Sequence, residues 1–102
     1  MDIHTRCPQK VVSAENAIAQ IKRGSRVFIG TGCGEPQHLI RTMVQNQQLQ
    51  DIMIYQMLSY TFADYVEDPS FASRFNLKLF FISKTMRKPA LEAKIDYIPA
   101  HL

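Results

Sequence analysis

The segment Gly30-Thr31-Gly32-Cys33-Gly34-Glu35-Pro36-Gln37 gathers the chemistry-bearing residue types of this 102-residue chain. Three glycines in five residues permit positive φ and let the backbone approach a ligand closely. Between a strand and a helix, their N–H groups could hold an anion or an oxyanion. Two familiar phosphate-binding patterns fail, however. A Walker A loop ends Gly-Lys-Ser/Thr, and no such ending exists here. The dinucleotide fingerprint needs glycine where Glu35 stands, and its partner acid should close the second strand, whereas Asp51 precedes that strand. Glu35 also places negative charge where a phosphate would bind. The plain alternative is a tight turn that holds no ligand.

Other candidates have simple competing readings. Glu35 could be a nucleophile or base, but a carboxylate at a helix N-terminus is also stabilised there by the helix dipole alone. Cys33 and His38 could form a thiolate–imidazole pair, since helix N-termini favour thiolates. Their five-residue spacing comes with no third, orienting group, and a small buried cysteine is the simpler expectation. Arg87 with Lys84, Lys88 and Lys94 could meet an acidic ligand, or could form a solvated helix face. His4 and His101 lie near the termini and are expected in solvent. Met43, Met53, Met57 and Met86 read as core filling.

The elements that must position the loop follow from periodicity. Ser13 is a good N-cap before Ala14–Gly24, and Glu15 suits the first turn. Ala14, Ala17, Ile18 and Ile21 share one face, Lys22 and Arg23 suit the last turn, and Gly24 suits the left-handed position beyond it. Arg26-Val27-Phe28-Ile29 reads as a short buried parallel strand. After the loop, Pro36 opens a helix whose buried face is Leu39, Ile40, Met43 and Val44. Further strands are expected at Ile52–Leu58, Leu77–Ile82 and Tyr97–Ile98. A connection over 61–76 holds a short helix or two, and a helix runs over 85–94 despite Pro89. The alternation implies an α/β fold with a mainly parallel sheet, its right-handed crossovers placing helices on both faces. Ligands of such sheets bind beyond the carboxyl ends of the strands, which points to Gly30–Gln37, the segment after Leu58, and Ser83–Arg87.

Composition bounds the function classes. From the 11.7 kDa mass, about 5,900 Å² of surface should remain exposed of roughly 17,000 Å² in the unfolded chain. That supports one core. Hydrophobic residues at 46% and charged residues at 21% are ordinary globular usage and argue against disorder. No apolar run is long enough to span a bilayer. The opening Met1-Asp2-Ile3-His4-Thr5-Arg6 has an early acid and no apolar h-region, so no secretory signal is expected. Net charge +3 is too small and too dispersed to argue for nucleic acid. Cys7 and Cys33 do not make a disulfide framework, so reduced thiols in a cytoplasmic protein are expected. Neither CxxC nor HExxH occurs, and no metal site is expected.

Four strings in order resemble one family. Lys10-Val11-Val12-Ser13-Ala14-Glu15-Asn16-Ala17-Ile18 with Ile21–Gly30 is similar to the start of the acetyl-CoA hydrolase/transferase family, which includes 4-hydroxybutyrate CoA-transferases. Thr31–Leu39 resembles that family's glycine-Glu-Pro loop. Phe80-Phe81-Ile82, Arg87 and Asp96-Tyr97-Ile98-Pro99 resemble its later F…R…G-x-A-D-Y-x-P pattern. The likeness covers residues 10 to 102. It departs at Ala93 and Ile95, where the family usually has Gly and Ala, and at Pro89.

The resemblance implies a CoA-transferase-like (NagB/RpiA-type) N-terminal domain, with residues 1–102 a truncated part of it. It implies a glutamate that attacks an acyl-CoA thioester, giving an acyl anhydride and then a glutamyl-CoA thioester, from which a second carboxylate, or water in hydrolases, completes the exchange. That glutamate belongs to the family's second domain and no residue here matches it, so no catalytic residue is assigned. Gly30, Gly32, Gly34, Glu35, Pro36 and Gln37 are implied to shape the acyl or carboxylate pocket. The expected ligands are an acyl-CoA, as substrate rather than cofactor, and a small carboxylate. A missing C-terminal domain or a second copy is the expected partner. The alternative is a non-catalytic acyl-CoA-binding or protein-interaction module built on the same fold.

Overall fold

The computed structural model describes residues 3–59 and 62–99; His101 and the start of the 61–76 connection lie outside them. A short helix, α1 (Ile3–Arg6), opens the described chain and buries no side chain. Ser13 then acts as its type demands: its Oγ accepts from the N–H of Asn16 at 3.1 Å and caps α2 (Ala14–Ile18). The ladder of α2 stops short of the expected Arg23. The chain winds on through tighter bonds, Gln20 N–H to Ala17 and Ile21 N–H to Ile18, as helix ends often do. Gly24 takes φ +81°, the left-handed geometry expected of it.

The strands are β1 (Arg26–Ile29), β2 (Ile52–Gln56), β3 (Phe75–Leu79) and β4 (Asp96–Tyr97), joined by α3 (Gln37–Gln45), α4 (Pro69–Arg74) and α5 (Arg87–Leu91). The bounds of three strands differ from expectation. β2 ends at Gln56 rather than Leu58, and β3 starts at Phe75 because that residue already pairs with Ile52. β3 also ends at Leu79 rather than Ile82, and β4 is Asp96–Tyr97 rather than Tyr97–Ile98. The 61–76 connection resolves into a 3₁₀ turn at Phe62–Asp64 and then α4. Pro89 sits in the first turn of α5, where its missing N–H costs no ladder bond.

All strand pairs are parallel, and their spatial order β1-β2-β3-β4 is also the chain order. The parallel α/β sheet is as the sequence implied. The helix placement differs. Right-handed crossovers that always step the same way land on one face, and helices on both faces need a reversal of strand order that the described strands lack. Ile18 of α2, Ile40 of α3, Phe71 of α4 and Met86 before α5 accordingly join one core with Ile52, Ile54, Leu77 and Leu79. The other sheet face carries the row Phe28–Tyr55–Lys78–Asp96, set by register. Lys78 Nζ pairs there with Asp96 at 2.8 Å, and Phe28 is 67% exposed. The chain exposes 6979 Å², more than the roughly 5,900 Å² expected of a compact domain of its mass, as a one-sided sheet should.

The departure at Ala93 has a physical cost. Lys94 N–H donates to Pro89 O at 2.9 Å and Ala93 N–H to Ala90 O at 3.1 Å. That is the Schellman pattern, with Ala93 at the left-handed position, φ 59°. Glycine takes that conformation without a Cβ penalty. Ala93→Gly is therefore expected to raise the unfolding free energy by about 1 kcal/mol. Urea unfolding would read this as a higher midpoint at unchanged slope.

Candidate functional site

The loop between β1 and α3 is a 3₁₀ turn at Gly32–Gly34. Its glycines do different things. A Cβ on Gly30 would lie 2.9 Å from the carbonyl oxygen of Gly34, so only glycine lets the two ends of the loop approach. Gly32 is needed for its φ of +66°, whereas a Cβ on Gly34 would meet nothing. Gly34 N–H donates to Thr31 O at 3.2 Å and Glu35 N–H to Gly32 O at 3.1 Å. One of the glycine N–H donors that the sequence offered to an anion, that of Gly34, is thus spent closing the turn, together with the N–H of Glu35.

The loop is held from outside as well. Thr31 Oγ1 accepts from Leu58 N–H at 3.2 Å, tying it to the segment after β2. Gln56, the last residue of β2 and fully buried, donates from Nε2 to Gly30 O at 3.1 Å. Sequence reasoning missed Gln56. Its signal was one amide on the face otherwise occupied by Ile52 and Ile54.

Beside the edge strand β1 lies an apolar cleft of about 230 Å³. Gly30, Gly34 and Pro36 of the loop region line it, together with Phe28, Ile21 and Leu39 among others. The six implied site residues therefore divide. Gly30, Gly34 and Pro36 line the cleft, whereas Gly32, Glu35 and Gln37 do not. Glu35 is buried, at 8% exposure, and Gln37 is exposed. Pro36 is the residue before α3 rather than its first residue. Leu39, expected in the core, is 40% exposed at the cleft.

The competing candidates come apart. Cys33 and His38 are both exposed, so Cys33 is not the buried thiol that the sequence favoured: the turn points its residues outward from the core. Both cysteines are free. In the basic cluster, Lys94 is engaged by Glu67 and, at 3.0 Å, by Glu92. The hydrogen bond to Glu67 first, then that to Glu92, raises the Lys94 pKa, and the bond from Lys94 lowers that of Glu92. Lys94 thus belongs to an ion-pair network. Among the described residues, no three His, Cys, Asp or Glu side chains gather as metal ligands, and no helix is long and apolar enough to cross a membrane.

A family model described as "Acetyl-CoA hydrolase/transferase N-terminal domain" matches residues 1–102. No curated protein matches the sequence significantly. Among solved structures, RipA from Yersinia pestis superposes with a TM-score of 0.78 at 19% identity, covering 99% of this chain and 26% of that one. Two variant structures of RipA give 0.80 and 0.77, each at 20% identity and with the same coverage. At such identities the likeness bears on the fold alone. The chain spans about a quarter of the length of these structures.

Proposed function

The chain belongs to the acetyl-CoA hydrolase/transferase N-terminal domain family, and on that footing we propose that it is the glycine-loop half of an acyl-CoA hydrolase or acyl-CoA:carboxylate CoA-transferase site, the attacking glutamate coming from outside these residues. The observation that carries this reading is the closure of Gly30 on Gly34 in the lining of an apolar cleft. An acyl thioester needs an apolar groove for its chain and a rigid backbone edge beside its carbonyl. Both adjoin here. The volume of about 230 Å³ lies below the roughly 300–1,000 Å³ of complete small-molecule sites, as half a site should. Gly30, Gly34 and Pro36 would shape the wall, with Gly32, Glu35 and Gln37 setting the form of the loop behind it. The chain's part is to seat the acyl group and exclude water, not to form a covalent intermediate. A reducing, cytoplasmic setting suits its two unpaired thiols.

The chain alone is expected to release no CoA thiol from acetyl-CoA above the uncatalysed rate, followed with a thiol reagent. Turnover at enzyme-like rates by these 102 residues would contradict the division of labour. One observation favours the second reading, an interaction module: Phe28 is 67% exposed on a strand with a single neighbour, and bare edges invite pairing. Light scattering separates the two, since the interaction reading requires concentration-dependent association.

A further inference from the structure

Gln56 carries one unexplained atom. Its Oε1 is buried and has no hydrogen-bond partner among the described residues. The Nε2 on the same carbon donates to Gly30 O, which fixes the amide's orientation and keeps Oε1 beside the loop. An acceptor left bare in the interior costs free energy that an apolar side chain of equal volume would not. β2 uses apolar residues at the two preceding positions of that face, Ile52 and Ile54. The exception falls at the strand's carboxyl end, where parallel α/β sheets bind ligands. The hydroxyls of Thr31, Ser59 and Ser83, beyond the carboxyl ends of β1, β2 and β3, are paired elsewhere. Ser59 Oγ accepts from Phe62 N–H at 3.1 Å, Ser83 Oγ bonds Ser59 O at 3.0 Å, and Thr31 Oγ1 takes Leu58 N–H.

We propose that Gln56 Oε1, which does not line the apolar cleft, is a ligand-binding acceptor reached from the carboxyl end of β2, where it receives a hydrogen bond from an uncharged N–H or O–H donor on a molecule bound at the glycine loop. The proposal rests on the acyl-CoA reading given above. An amide oxygen with its partial negative charge disfavours an anion, and burial disfavours a charged ammonium, which leaves a neutral donor. The parts of the expected ligands nearest the thioester that carry one are the pantetheine arm, through its amide N–H groups and hydroxyl, and the hydroxyl of a hydroxylated acyl group or carboxylate.

Three probes separate the sources: pantetheine, 3-hydroxybutyrate, and butyrate, which lacks the hydroxyl. The readout is the Gln56 side-chain amide in ¹H–¹⁵N spectra of the 102-residue protein, with affinities taken from the same titrations. Pantetheine or 3-hydroxybutyrate should shift that resonance, and butyrate should not. Gln56→Met should weaken the responding probe by about tenfold relative to butyrate. That ratio cancels any general loosening of the loop from the lost Nε2 bond. If Gln56→Met does not fold, the wild-type shifts still decide. No shift with either donor-bearing probe at millimolar concentration would overturn the proposal, as would a ratio unchanged in Gln56→Met or a bound water that stays on Oε1 at saturation. If acetyl-CoA nevertheless binds, the acyl-CoA reading stands while this assignment falls; if acetyl-CoA does not bind, that reading falls on its own.

Discussion

Replacing Arg74 with alanine is expected to lower the unfolding free energy by about 3 kcal/mol, enough to move the thermal midpoint of a domain this size by roughly 12–24 °C. Arg74 is the last residue of α4 and only 4% exposed. Its Nη2 donates to Val44 O and its Nη1 to Asn46 O, both at 2.8 Å. Those carbonyls lie at the C-terminal end of α3, where a helix leaves acceptors unfilled and where a cation also meets the negative end of the dipole. Nε donates to Ser70 O at 3.2 Å, and the guanidinium lies 4.8 Å from the Phe75 ring centroid. Burial lowers the arginine's pKa, and the charge of Asp68 partly opposes that shift. The fork thus joins two crossover helices more than 25 residues apart in sequence. Truncation removes the guanidinium donor from Val44 O and leaves Asn46 O with the Leu49 N–H at 3.3 Å. Arg74→Lys should recover little of the loss, because an ammonium cannot span both acceptors in one plane. Recovery of more than half of the stability in Arg74→Lys, measured by urea unfolding, would show that charge alone matters.

Gly30→Ala is expected to act on the site more than on the fold. The added methyl would meet Gly34 O at 2.9 Å. That atom is backbone, so the turn must open rather than a side chain swing away. Forced contacts of this kind cost about 1–3 kcal/mol. Here the displacement falls on the cleft's lining, and the cost should appear as a loss of about tenfold or more in acyl-CoA affinity. Gly34→Ala is the control, since a Cβ at Gly34 meets nothing. Its affinity should stay near wild type. A loop that is only a glycine-permitted turn predicts no affinity difference between the two variants.

Much of what positions the loop was legible because it is local. Ser13 as a cap, Gly24 at positive φ, β1 at Arg26–Ile29 and the stripe Ile40, Met43, Val44 each follow from neighbouring residues. The parts that were not legible depend on distant partners. Arg74 sits between Phe71 and Phe75 in a stretch without a period, and its acceptors lie in another helix. The one-sided sheet depends on strand order, which alternation does not encode. Leu39 fits the helical stripe yet faces the cleft, since the stripe is wider than the core it meets. Gln56 looked like an interruption in an apolar strand, and its meaning appears only when Gly30 is brought beside it. Ala93 was visible as a departure from a family's glycine, but its cost shows only in the backbone, at φ 59°.

The account stands most directly on whether this loop binds a CoA thioester. A calorimetric titration of acetyl-CoA into the 102-residue protein, and in parallel into Gly30→Ala and Gly34→Ala, puts the question to the molecule. The account predicts saturable binding to the wild type and to Gly34→Ala, and an affinity lower by tenfold or more for Gly30→Ala. Absence of binding to the wild type, or equal affinity across all three proteins, would contradict it.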